Sequence, residues 1–383
     1  MMTSDNLISR TITSLRFPLI AGIVFMHFNL ALNPFSLHGV DYGTHNPNWY
    51  YMLLNIFSYA LPSIGVPLFF FMSGFLFFYR TEFNVSVYKR KLKTRVRTLL
   101  IPFILWNIIA FLNMAWRLLP FFSFLFPNAD NIEKHFSLIR WFNTFFYNNR
   151  YNGVLVSPMD DSVDLQTIIP APMDVPMWYV RDLMLMVLLS PVVYWLIRKF
   201  GWWYIVLAGI VWCFVLFPLE TFYFNFFFAA LFYFSWGAYF SIKKQSFITF
   251  MRKFKFMPLV YFPVVIIDVL LKEISWGFYV HEIGIVLGVV SAIVIASYML
   301  EKGIVRVNKT LADSSFFIFA LHLLIMGDIA KVVFVAFHLS DTTAVMLAFY
   351  LMVPVITIII CLALYLLLRK YSPKLCGLLT GGR

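Results

Sequence analysis

Tyr279-Val-His-Glu-Ile-Gly-Ile-Val-Leu-Gly-Val-Val-Ser-Ala-Ile-Val-Ile-Ala-Ser-Tyr-Met299 opens on one histidine and one acid and then runs to its end without a charge. Such a stretch has the ~20 residues an α-helix needs to cross ~30 Å of hydrocarbon. Similar stretches recur about ten times along the chain. They are Phe17–Leu32, Tyr51–Tyr79, Leu99–Leu119, Met177–Ile197, Trp203–Leu219, Phe222–Ile242, Phe256–Leu271, Tyr279–Met299, Ser315–Phe337 and Thr343–Leu368. The expected fold is therefore an all-α integral membrane protein of about ten transmembrane helices.

Composition agrees. Of 383 residues, 61% are hydrophobic, 20% aromatic and only 13% charged, with a mean hydropathy of +0.82. A soluble domain carries roughly twice that charged fraction, about 25%, which excludes an ordinary soluble enzyme or a disordered chain. Cys213, Cys361 and Cys376 form no disulfide framework or CxxC pair. Residues 1–15 do not read as a cleaved signal, because they lack a small-residue cleavage site.

The net charge of +12 is distributed by side rather than gathered for nucleic acid. With the N-terminus inside, 23 of the 30 Lys and Arg fall on inward segments, while Asp130, Glu133, Asp160, Asp161, Asp164 and Asp174 fall outside. The positive-inside rule then puts both termini in the cytoplasm. One domain is expected over 1–383. Within it Pro120–Pro176 forms a long extracytoplasmic loop, mixing Trp141, Tyr147, Tyr151 and several Phe with Asn, that suits either a carbohydrate surface or the membrane interface.

Walker, GxGxxG, HExxH and HxxxxD motifs are all missing, so chemistry must come from ionisable residues within the membrane, which are costly there. Arg16 and His27 are eleven residues apart. On a helix that separation turns about 1100° and rises about 16 Å, placing both on one face. Arg16 is expected near the cytoplasmic end and His27 more than halfway across. Six basic residues, Lys89 to Arg97, form an inward loop able to clamp phosphates. Arg181 and Asp182 adjoin at the outer end of the fourth span beside Trp178 and Tyr179; pointing about 100° apart, they are expected to pair with other groups. His322, His281, Glu282, Asp268 and Asp328 are further intramembrane candidates.

Five pieces in order resemble the membrane-bound acyltransferase-3 family, which O-acylates extracytoplasmic glycans: Arg16 to His27; Val66-Pro-Leu-Phe-Phe-Phe-Met-Ser-Gly-Phe75; the basic run ending Leu100-Ile-Pro102; Trp178-Tyr-Val-Arg-Asp182; and Ser315-Phe-Phe-Ile-Phe-Ala-Leu-His322. The family's Arg-x-x-Arg is not kept, since Thr98 stands three residues after Arg95. The resemblance implies a ten-helix bundle in the bacterial inner membrane that moves an acyl group, acetyl first among them, from cytoplasmic acyl-CoA to a hydroxyl of a cell-surface or lipid-linked carbohydrate. His27 and Arg16 would be catalytic, with His27 the general base. Lys93, Arg95 and Arg97 would hold the CoA phosphates, and Ser73, Trp178, Arg181, Asp182 and His322 would meet the substrates. Ser73, Trp178 and Arg181 are alternative oxyanion donors. Direct transfer is expected ahead of an acyl-Ser73 or acyl-His27 intermediate, with no metal and no fused periplasmic domain. The rival reading is a proton-coupled transporter or flippase of lipid-linked sugars, with His27, His322, Asp268 and Asp328 as its relay.

Overall fold

A computed structural model describes residues 4–37, 40–115, 150–151, 154–155, 172–215 and 222–382. Most of the Pro120–Pro176 loop lies outside the described residues; Arg150–Tyr151 (β3) and Val154–Leu155 (β4) pair antiparallel within it. The protein is all-α and membrane-spanning. Among the described residues seven helices are long and apolar enough to cross a bilayer. The pair Phe247–Phe254 and Met257–Leu271, bent by 70°, is a broken span or a re-entrant loop, and two shorter apolar helices occupy Trp202–Phe214 and Phe227–Ile242.

The helices fall into two compact units, Met1–Lys89 with Met186–Leu366 and Arg90–Leu185 with Leu367–Arg383. In the first unit, α1 (Ser4–His27) lies along α11 (Gly277–Glu301) and α12 (Lys309–Ala336). The second span is broken: α2 (Asn48–Asn55), a π-turn at Ile56–Ala60, a 3₁₀ turn at Pro62–Ile64 and then α3 (Gly65–Phe78). Pro62 and Pro67 supply no backbone N–H, so the ladder must be remade around them. α3 crosses α8 (Phe222–Ile242) backbone to backbone. A Cβ on Gly74 would lie 1.9 Å from the Phe234 carbonyl oxygen, and one on Gly237 1.9 Å from that of Phe71. Small residues permit this approach, and van der Waals contact rather than water exclusion holds helices together in lipid.

Three boundaries differ from expectation. α1 begins well before Phe17 and ends at His27, not Leu32. Its start is tied down by Asp5, which accepts from Tyr79 Oη at 2.7 Å and pairs with Arg80; burial and this bond hold the Tyr79 phenol above its usual range. Beyond its end, Asn29 Oδ1 folds back to accept from the amides of Ala31 and Leu32, and the chain enters a hairpin of β1 (Phe35–Leu37) and β2 (Val40–Tyr42). Second, the basic run is a helix rather than a loop. α4 (Val85–Arg95) passes through a π-turn at Val96–Leu100 into α5 (Ile101–Ala115), Pro102 lying at the join. Asn84 caps its start by accepting from the Val87 amide at 2.9 Å.

Third, the second unit closes with an unanticipated helix, α14 (Pro373–Thr380). Trp106 on α5 donates its indole N–H to the Leu379 carbonyl at 3.0 Å. Gly381 ends the helix at φ +68°, where a Cβ would come within 2.3 Å of the Thr98 carbonyl oxygen. The three cysteines are free and buried, and burial pushes the Cys376 thiol up. The remaining helices are α6 (Trp178–Phe200), α7 (Trp202–Ile210), α9 (Phe247–Met251), α10 (Met257–Leu271) and α13 (Thr343–Tyr371). α13 keeps Tyr350, Val353 and Thr357 buried while exposing Leu351, Val355 and Ile359, as a helix with one face to lipid must.

Candidate active site

The described fold gathers the sequence candidates into two groups. Arg16, His27, Ser73 and His322 belong to the first unit; Lys93, Arg95, Arg97, Trp178, Arg181 and Asp182 belong to the second.

In the first unit the His27 and His322 rings are neighbours, their centroids 5.2 Å apart and their planes inclined by 41°. His27 is the last residue of α1, so the negative end of the helix faces any positive charge that develops on its imidazole. It is partly exposed, whereas His322 is fully buried. Arg16 lies at the middle of α1, not near its end; the helix runs unbroken to His27, so the shared face and the rise of about 16 Å hold. Ser73 sits beside Gly74 at the α3–α8 crossing and is half-buried.

Two residues that carried no signal in the sequence brace this site. Ser58, in the π-turn, donates to the Phe25 carbonyl at 2.8 Å and lies 2.6 Å from Tyr350 Oη. The carbonyl can only accept, so the Ser58 proton is spent there and Tyr350 must donate to Ser58 Oγ. The pair therefore satisfies a terminal carbonyl of α1 two residues before His27. Neither proton is left over for an oxyanion.

A second polar cluster lies in the same unit. His281 Nδ1 is 2.8 Å from Asp268 Oδ2, and the His281 ring stacks on Tyr59 at 4.4 Å and 20°. Lys272 sits over the Tyr59 ring at 5.3 Å and donates to Asn55 Oδ1 at 3.3 Å. Asp268 is thus engaged by His281. An apolar cavity of about 310 Å³ among Trp202, Trp212, Phe232 and Trp236 contains none of the candidate residues.

In the second unit, Lys93 and Arg97 are exposed and Arg95 is half-buried. Arg95 lies within electrostatic reach of the Tyr179 phenol, and Asp174 donates its amide to Asn107 Oδ1 on α5 at 3.0 Å. The Trp178–Asp182 segment therefore adjoins the basic helix, although the sequence reading set the two on opposite membrane faces. Arg181 and Asp182 pair with each other, contrary to expectation: Arg181 Nε donates to Asp182 Oδ1 at 2.8 Å. The arginine stem is long enough to reach sideways across the angle between adjacent positions. Among the described residues no group of three or more His, Cys, Asp or Glu could hold a metal.

A family model described as an acyltransferase domain matches residues 10–366. The chain belongs to the acyltransferase-3 family. It is similar to the succinoglycan biosynthesis protein ExoH of Rhizobium meliloti (strain 1021), at 29% identity over 200 residues. That match covers 51% of this chain and 45% of the relative, so the chain spans under half the length of the curated protein it matches. No solved structure matches it. The matched acyltransferase domain includes both the Arg16–His27 helix and the Ser315–His322 segment.

Proposed function

We propose that the protein transfers an acyl group, acetyl in the first instance, from cytoplasmic acyl-CoA to a hydroxyl of a carbohydrate on the outer side of the bacterial inner membrane, with both termini cytoplasmic. The observation that carries this reading is His27: a partly exposed imidazole closing the apolar second half of α1, Phe17 to Met26, beside a second buried imidazole, in a chain of this family. A thioester is already activated, so the chief task is to remove the hydroxyl proton as the oxygen attacks. His27 takes that proton, the new C–O bond forms, the tetrahedral oxyanion collapses with loss of the C–S bond, and the proton passes to the departing CoA thiolate. Arg16 holds substrate on the same helix face. Lys93, Arg95 and Arg97 bind the CoA phosphates, and Trp178 or Arg181 supplies the oxyanion donor. Ser73 is the alternative donor. The glycan class is supported by the relative named for succinoglycan biosynthesis.

The test uses purified protein in sealed vesicles. Labelled acetyl-CoA confined to the cytoplasmic face should label a glycan confined to the outer face. Labelling only of glycan placed on the cytoplasmic face would overturn transfer across the membrane, and absence of any acyl transfer would overturn the enzyme reading.

A further inference from the structure

His322 is fixed in a way that its neighbour is not. Its Nδ1 lies 2.7 Å from the Phe319 carbonyl oxygen and 3.2 Å from that of Ile318. Both oxygens can only accept, so Nδ1 carries the hydrogen and Nε2 is left with a lone pair. His322 has no exposed surface, and Nε2 finds no donor among the described residues. An unsatisfied buried acceptor costs ~1–3 kcal/mol. A family of backbone bonds that orients a ring, only to aim a bare lone pair into the interior, calls for a donor that arrives during function. The only aromatic nitrogen base beside it among the described residues is His27, centroid to centroid 5.2 Å.

Resting on the acyl-transfer reading, we propose that His322 is the positioning residue of the base: its Nε2 accepts a hydrogen bond from the His27 imidazolium. As His27 removes the hydroxyl proton it acquires a second N–H. The new N–H faces the attacking oxygen, while the N–H that neutral His27 already carries on its other nitrogen turns to the lone pair of His322 and bonds more strongly once the ring is charged. The arrangement does what a carboxylate does behind a catalytic histidine, fixing tautomer and ring direction, but with a neutral group. That suits a buried site, where a carboxylate would add a charge that must be desolvated. No proton moves onto His322, so the balance of the reaction is unchanged: the hydroxyl proton ends on CoA.

The experiment uses the full-length protein in detergent, with acetyl-CoA as donor and octyl glucoside as acceptor, following thiol release and acetylated glucoside. His322→Gln offers one donor and one acceptor in place of Nδ1–H and Nε2 but cannot take a proton at neutral pH. It should keep kcat within about tenfold of wild type, while His322→Leu loses about 10²-fold, both with the KM for acetyl-CoA within about twofold. A glutamine variant as inactive as His27→Ala would make His322 a proton carrier and overturn the proposal, as would a leucine variant within about threefold of wild type. Histidine ¹⁵N spectra of the same protein give a readout independent of turnover. His322 should show a protonated Nδ1 and a bare Nε2 whose shift moves in His27→Phe; a protonated Nε2 overturns the pairing. If wild type transfers nothing to any acceptor while the spectra hold, it is the acyl-transfer reading that fails and not the pairing.

Discussion

The two groups of candidate residues solve opposite problems. The histidine pair of the first unit is built from groups that can both be neutral, set among apolar side chains and braced by hydroxyls bonded to backbone. The basic residues of the second unit carry fixed charge, and that charge is kept at the surface, as in Lys93 and Arg97, or matched, as in Arg181 with Asp182. Arginine cannot be neutralised in a protein, so it must be paired or wetted, whereas imidazole can enter the interior uncharged. In the proposed function the phosphate-bearing donor goes to the charged helix and proton transfer to the neutral pair, as this division of charge favours.

The largest break in this contrast comes from the neutral side. His27→Ala should lower transfer by ~10²–10⁴-fold while the protein inserts and purifies as wild type, because one partly exposed imidazole contributes proton transfer rather than helix burial. Activity within threefold of wild type removes His27 from the mechanism. On the charged side, Asp182→Asn removes the carboxylate charge that pairs with the largely buried Arg181, a carboxylate only 5% exposed. Breaking a buried pair from one side costs up to ~3–5 kcal/mol, so thermal unfolding in detergent should move down; an unmoved transition would show that this pair carries no stability. Arg95→Gln with Arg97→Gln should raise the KM for acyl-CoA by about tenfold and flatten its salt dependence, since charge-assisted phosphate contacts explain both. An unchanged KM confines the basic helix to topology. Smallest of all is Asp5→Asn. Its partners Tyr79 and Arg80 are at the surface, where ion pairs contribute little, and no measurable change in melting is expected; a clear loss would mean that the N-terminal turn guides α1 and its histidine.

Much of this was legible in the chain. Hydropathy located the seven spanning helices among the described residues because lipid imposes one requirement, a satisfied backbone in an apolar coat, on all of them. The common face of Arg16 and His27 followed from helical phase alone. What hydropathy cannot mark is a helix whose residues are charged. The start of α1 and the whole of α4 were therefore missed, although Asn84 stood at a capping position. Partners far apart in sequence were equally invisible. His27 and His322 came forward separately, and nothing linked them until the packing of α1 on α12 did; Ser58 and Tyr350 were not distinguished at all. The Arg181–Asp182 pair was misjudged for another reason: backbone direction was used where side-chain reach decided.

The π-turn at Ile56–Ala60 carries a consequence for how this chain can change. Its wide bond, from the Leu61 amide to the Ile56 carbonyl, accommodates one more residue than an ordinary turn. Because of that surplus, consecutive side chains serve different neighbours: Ser58 closes the end of α1, and Tyr59 lies flat on His281. Shortening the segment by one residue would replace the π-turn by an ordinary α-turn ahead of the Pro62 break. It would also force a choice, since a single inward position cannot bond the Phe25 carbonyl and stack on an imidazole at once. The deletion is thus conformationally cheap and functionally selective, a natural one-residue cut by which the two polar clusters could be uncoupled.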